Sequence, residues 1–221
     1  AEELVGEISG SRVAFATTLG GLPVDPEVQE IVENQRKVFE ELGCIVEEAC
    51  PDFDGADDVF KVLRAFRFEM KFGPLTGRHE SEMKDTVLWN IEQGRQLTGP
   101  ELGRAQQRRT SIFHKTRQFF EKYDFLIAPV SQVAPFDIGE PFVREISGTE
   151  METYIDWMKS CYFVTVTGMP AISVPADFTR TGLPVGIQIV GGFRRDVELL
   201  QMAYAFEQRT LMGKRLPDLL L

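Results

Sequence analysis

Nucleophilic chemistry in a chain of this kind would have to come from serine, cysteine or histidine. Ser131, Ser147, Ser160 and Ser173 all lack the Gly-rich elbow that exposes a nucleophilic hydroxyl on a tight turn, so each reads as a loop or core serine. Cys44, Cys50 and Cys161 are odd in number and lack metal-ligand spacing. They read as reduced core thiols of a cytosolic protein. The 2 histidines, His79 and His114, read as surface or helix residues rather than a base or a ligand. Gly20 and Gly21 lack the spacing of a phosphate loop, and Asp25 followed by Pro26 reads as an N-cap with a first-turn proline.

The elements that must position any site follow from periodicity. Ser11–Thr18 reads as a strand, 25–42 as a helix with a stripe through Val28, Ile31, Val32, Val38, Phe39 and Leu42, and Cys44–Glu48 as the next strand. Together they make a β-α-β unit with two parallel strands. Helices are predicted over Asp57–Phe72 and Ser81–Gln96, the first closed by Gly73 and Pro74. Another starts in a capping box at Thr98 and Glu101 and runs to about Lys122. Its basic side, with Arg104, Arg108, Arg109, Lys115 and Arg117, reads as a solvated or internally paired face.

Phe125–Val130 reads as a short buried strand, and 131–147, rich in Pro and Gly, as an ordered loop on a pocket rim. A helix is predicted from Thr149, with Tyr154, Trp157, Met158, Cys161, Tyr162 and Thr165 along one stripe. Two apolar runs, Ala171–Phe178 and Val185–Gly191, joined through Gly182 and Pro184, form a hairpin that is apolar on both faces. Pro170 and Pro175 make its first strand edge-like. Asp196 caps a last helix, Val197–Leu211, apolar on more than one side and so expected to be wedged between other elements, and the PDLLL terminus docks or frays. The fold class is therefore α/β, a mixed β-sheet layered between helices.

Composition sets the bounds. The chain has 221 residues, 43% hydrophobic and 26% charged. That length buries roughly 70% of the unfolded surface, enough for one domain over 1–221. No apolar run approaches the ~18 residues of a membrane span, and no signal peptide opens the chain. The formal charge of −10 opposes phosphate backbones and anionic lipid, so neither nucleic acid nor membrane is an expected partner.

TGMPAISVPADFTRTGLPVGIQIVGG followed by DVELLQMAYAFEQRT resembles the C-terminal part of the amidase signature family of serine hydrolases. KYDFLIAPV, YIDWMKSC and LGGLPVDPEV resemble the same proteins in the same order. The resemblance implies hydrolysis of a carboxylic amide without metal or cofactor. A nucleophilic serine would sit in a GGSSGG-like loop, activated by a bridging serine and a buried neutral lysine. No such loop occurs in this sequence, so no catalytic residue is placed here and the chain is expected to act as the second half of an amidase.

Such a half would supply the acyl-side pocket, for which Ser131, Gln132, Trp157, Cys161 and Thr165, near element ends, are the candidates. Its partners would be a small amide and the N-terminal half. Open sheet edges make association, including a homo-oligomer, an expectation. Two other readings stand beside this one. The chain is a non-catalytic half of a split or degenerate enzyme, acting as an interaction module, or it belongs to the glutamine-hydrolysing component of a tRNA-dependent amidotransferase. Those components hold the substrate with an acidic residue that falls near Met158, two residues from Asp156, and with an arginine that falls near Trp89 and Asn90. The mismatch at both places favours a stand-alone amidase.

Overall fold

A computed structural model describes residues 4–215. The first unit is β1 (Arg12–Phe15), α1 (Pro26–Asn34), α2 (Arg36–Glu41) and β2 (Ile45–Glu48), with β1 and β2 parallel and Val13 opposite Val46. Asp25 starts α1 as expected, accepting from the N–H groups of Glu27 and Val28. The single helix expected over 25–42 is broken at Gln35. There the backbone N–H turns to Val32 O, while the buried side chain donates to Ile31 O at 3.1 Å and takes over the partner the helix would have used.

Helices α3 (Ala56–Phe72), α4 (Thr76–His79), α5 (Asp85–Gln96) and α6 (Gly99–Phe119) follow. The capping box at Thr98 and Glu101 is present in both its bonds. On the basic side of α6, Arg108 pairs with Asp54, Lys115 with Asp52 and Arg117 with Glu121, so three of its five basic residues are internally paired.

Strand β3 (Phe125–Pro129) is buried at every position. It lies parallel to β1 and antiparallel to β7 (Pro184–Gly191), which pairs with β6 (Ala171–Phe178), giving one sheet in the order β2-β1-β3-β7-β6. Alternate residues of β3 enter two cores. Phe125 and Ile127 pack with residues of α1, α2 and α8 (Asp196–Thr210), whereas Leu126 and Ala128 pack with residues of α3, α6 and α7 (Lys159–Thr167). The fold is thus a mixed sheet between helices, and both faces of β3 are covered by this chain's own helices. Among the described residues, no helix is long and apolar enough to cross a membrane.

Three expectations are corrected. Residues Thr149 and Glu150 form not a helix start but strand β5, paired with β4 (Glu145–Ile146) across a turn whose residues Ser147 and Gly148 have φ of 48° and 78°. The helix is delayed until a 3-10 turn at Asp156–Met158 leads into α7, so Thr165 is exposed while Ser160, Tyr162, Val164, Val166 and Thr167 face inward. Second, Asp196 is the first helical residue of α8 rather than its cap, and that helix buries only Leu199, Met202, Ala203 and Phe206 while Val197 and Leu200 face out. Third, β6 is not apolar and covered on both sides: Val174 and Ala176 are buried, but Ala171, Ser173 and Pro175 on the alternate face are exposed. The PDLLL terminus lies outside the described residues.

Candidate functional site

That exposed face of β6 is the floor of a groove. Two adjoining hollows share Val130 and Ser173. One, of about 260 Å3, is bordered by Ser131, Phe136, Trp157 and Gly186. The other, of about 420 Å3, is bordered by Cys161, Thr165, Met169, Ala171 and Gln188. The loop after β3 forms one bank and α7 the other. Gly168, with φ of 71°, ends α7 in a left-handed turn that delivers the chain into β6 beside it.

Hydrogen bonds clamp the start of α7 to the end of β3. Val130 O accepts from both Ser160 Oγ and Cys161 Sγ at 2.8 Å. Gln188 Nε2 donates to Pro129 O at 2.9 Å and to Ser160 O at 3.0 Å, a strand-to-helix brace made by one buried amide. Gln132 Oε1 accepts from Lys159 N at 2.7 Å, satisfying the first N–H of α7, and its Nε2 donates to Pro23 O at 2.9 Å. Trp157, half-buried, meets Phe136 edge-on with centroids 5.2 Å apart.

Of the five candidates from sequence, Ser131 and Trp157 border the first hollow, and Cys161 and Thr165 the second. Gln132 borders neither. It is fully buried, and both ends of its amide are engaged in holding the loop and the helix together. Phe136, Gln188 and Ser173 also border the groove, although neither helical spacing nor element ends single them out. Period-2 alternation along β6, with small or polar residues at 171, 173 and 175, was the signal available for that floor.

Among the described residues that line the groove there is no histidine, lysine or carboxylate, so its contribution is shape and apolar contact. Burial pushes the Cys161 thiol up, with a hydrogen bond from Ser160 opposing, so it stays protonated near neutrality. Next to the groove, Asp156 and Asp57 are bridged by two lysines. Lys61 Nζ lies 3.0 Å from Asp156 and 3.1 Å from Asp57, and Lys159 Nζ lies 3.3 Å and 3.1 Å from the same pair. Burial pushes the Asp156 carboxyl up, but hydrogen bonds from Thr153 and Lys61 and the Lys159 charge outweigh it and hold it below its ordinary value. Asp156 also accepts from the Thr153 N–H and hydroxyl, so this carboxylate is committed to the turn that precedes α7. Asn90 is likewise committed, donating to Thr86 O and Tyr154 Oη, and Trp89 stands edge-on to Tyr154.

A family model, Amidase, matches residues 1–200. The chain belongs to the amidase family. It is 31% identical to an acylamidase of Rhodococcus erythropolis over 205 residues, covering 91% of this chain and 43% of that protein. The A component of the glutamyl-tRNA(Gln) amidotransferase of Moorella thermoacetica is 28% identical over 237 residues, covering 96% of this chain and 47% of the relative. In fold, this amidase-family chain superposes on a bacterial aryl acylamidase of the amidase signature family with a TM-score of 0.86 at 23% identity, over 96% of this chain and 46% of the other. A 6-aminohexanoate cyclic dimer hydrolase gives 0.84 at 24% identity, over 100% and 49%. The chain thus spans a little under half the length of these relatives.

Proposed function

We propose that this chain provides the core and the acyl-side pocket of an enzyme that hydrolyses carboxylic amides. Membership of the amidase family supports the reaction class. The groove over β6 supports the role, because it is open, largely apolar and framed by two fixed banks. In the reaction, a serine hydroxyl supplied from outside these 221 residues attacks the amide carbonyl. The C–N bond then breaks with a proton delivered to the leaving amine or ammonia, and water cleaves the acyl ester to release the acid. Trp157 and Phe136 offer an edge-to-face aromatic pair against which an acyl group can pack.

The test uses two preparations. Purified chain alone is expected to release no ammonia from simple primary amides. Combined with the N-terminal counterpart, it is expected to gain turnover and a higher melting temperature, since a partner that binds only the folded state stabilises it. In that complex, Trp157→Ala shifts the preference between aryl and short aliphatic amides. Ammonia release by the chain alone, abolished by a serine-directed covalent inhibitor, would defeat the proposal. A second reading, the glutamine-hydrolysing component of a tRNA-dependent amidotransferase, draws support from the Moorella relative. Its weakness is that Asp156 and Asn90 are already engaged within the fold. Glutamine hydrolysis by the complex at a rate matching its best simple amide would favour it.

A further inference from the structure

A third hollow, of about 250 Å3, lies where α3, α6 and α7 meet. Arg64 and Arg67 of α3 and Arg109 of α6 border it, together with Phe60, Phe68 and Thr165. Among the described residues none of these three arginines pairs with a carboxylate, although Arg108 and Arg117 on the same helix as Arg109 both do. Three like charges left together around one hollow, in a chain of formal charge −10, favour whatever anion neutralises them.

The donors are held ready. The Arg64 guanidinium carbon stands 4.6 Å from the Phe68 ring centroid, 5.9 Å from Phe60 and 5.8 Å from Tyr154, and Nη2 donates to Tyr154 Oη at 2.9 Å. Its Nε is buried and meets no acceptor among the described residues. Arg109 Nε donates to Val166 O at 3.4 Å, and among the described residues its terminal amino groups meet no acceptor. Arg67 is exposed at the rim. Planar forks of this kind match a carboxylate in two-point contact, and the phenylalanines supply an apolar wall. The volume lies at the small end of ligand sites, which selects a compact ligand.

We propose that this hollow binds a small carboxylate carried on a flat apolar body, the aryl carboxylates being the fitting class. Thr165 borders both this hollow and the groove over β6, so the carboxylate is either a free acid or the acidic end of an amide that reaches across. The anion site itself does not depend on the amidase reading.

The test is calorimetric titration of the purified chain with benzoate, benzamide and inorganic phosphate. Benzoate is expected to saturate one site and to bind at least about tenfold more tightly than either control, the scale expected for a charge-assisted contact read together with a ring. Arg109→Gln and Arg67→Gln should each weaken benzoate binding, the exposed Arg67→Gln at unchanged melting temperature. A further arm, 4-carbamoylbenzoate, separates the sources: binding tighter than benzoate supports an amide-borne acid, and equal binding supports a free one. The proposal is overturned if benzoate fails to saturate, if benzamide or phosphate binds as tightly, or if both variants bind benzoate like the parent chain.

Discussion

Gln132 allows a sharp test of what holds the groove together. Its amide oxygen accepts from Lys159 N at 2.7 Å and its amide nitrogen donates to Pro23 O at 2.9 Å, with the side chain fully buried. Gln132→Ala leaves both partners without their hydrogen bond in a partly buried place, and each unsatisfied group costs about 1–3 kcal/mol. Allowing for partial relaxation, a loss of about 2–5 kcal/mol is expected, which at about 2–4 °C per kcal/mol lowers the melting temperature by about 4–20 °C. Gln132→Glu sharpens the point. A carboxylate there still accepts from Lys159 N but cannot donate to Pro23 O and buries a charge, so it should be no more stable than the alanine variant. Urea and thermal unfolding of the three proteins, followed by circular dichroism, give the numbers. A Gln132→Ala chain within about 0.5 kcal/mol of the parent, the ordinary range of surface substitutions, would refute the bridging role.

Gly94→Ala should cost about 1–3 kcal/mol in urea unfolding, because a Cβ there falls on the carbonyl oxygen of Ala65 and 2.5 Å from Glu69 Cβ at the packed crossing of α3 and α5. An unchanged midpoint would mean that those helices are not in close contact. Asp156→Asn leaves Lys61 and Lys159 short of one carboxylate and should lose about 3 kcal/mol, the low end for breaking a buried pair because both lysines are partly exposed. The depressed Asp156 carboxyl contributes stability that is complete above the ordinary aspartate value of about 3.9 and is lost as pH falls through its lower folded value. Parent and variant should therefore converge in stability towards acid, and parallel pH curves would contradict the assignment. Burial pushes the Cys50 thiol up to about 12 and, with the Asp124 charge adding, the Cys44 thiol up to about 11, so iodoacetamide at neutral pH should label both far more slowly in native than in urea-unfolded chain. Equal labelling rates by mass spectrometry would show that they are not protected.

What the sequence made legible was local. The β-α-β unit, the capping box at Thr98 and the hairpin through Gly182 each carry their cause within a few residues: a stripe, a cap or a turn. In residues 149–158, Tyr154, Trp157 and Met158 fall at helical spacing, yet the segment answers to partners far along the chain. Tyr154 is held by Arg64 and Asn90, Trp157 meets Phe136, and the turn before α7 is fixed by Asp156 and its lysines. Spacing records a period but not the partner that exploits it. The groove was half legible for the same reason. Element ends pointed to Ser131, Trp157, Cys161 and Thr165, whereas the openness of β6 depends on which helices stop short of it, and the burial of Gln132 depends on a backbone N–H 27 residues later.

The position of the groove follows from how the two helical layers meet the sheet. Residues of α1 and α8 pack beneath Val174 and Ala176, so one face of β6 is core. On the other face α7 ends at Gly168, where the left-handed turn sends the chain back along the sheet edge, and no further helix of the described residues lies over Ala171, Ser173 and Pro175. An edge strand with an open face invites pairing with another chain, but this one is protected. Pro175 has no N–H to offer, and the register with β7 shifts between Pro175 and Asp177, which bends the edge away from a regular ladder. Blocking the edge while leaving the face open separates two kinds of contact. Strand addition is disfavoured, whereas a side-chain-lined surface held by the Gln188 and Gln132 bridges remains available to a ligand or to a covering element. Any contact made through β6 is accordingly expected at its open face rather than along its edge.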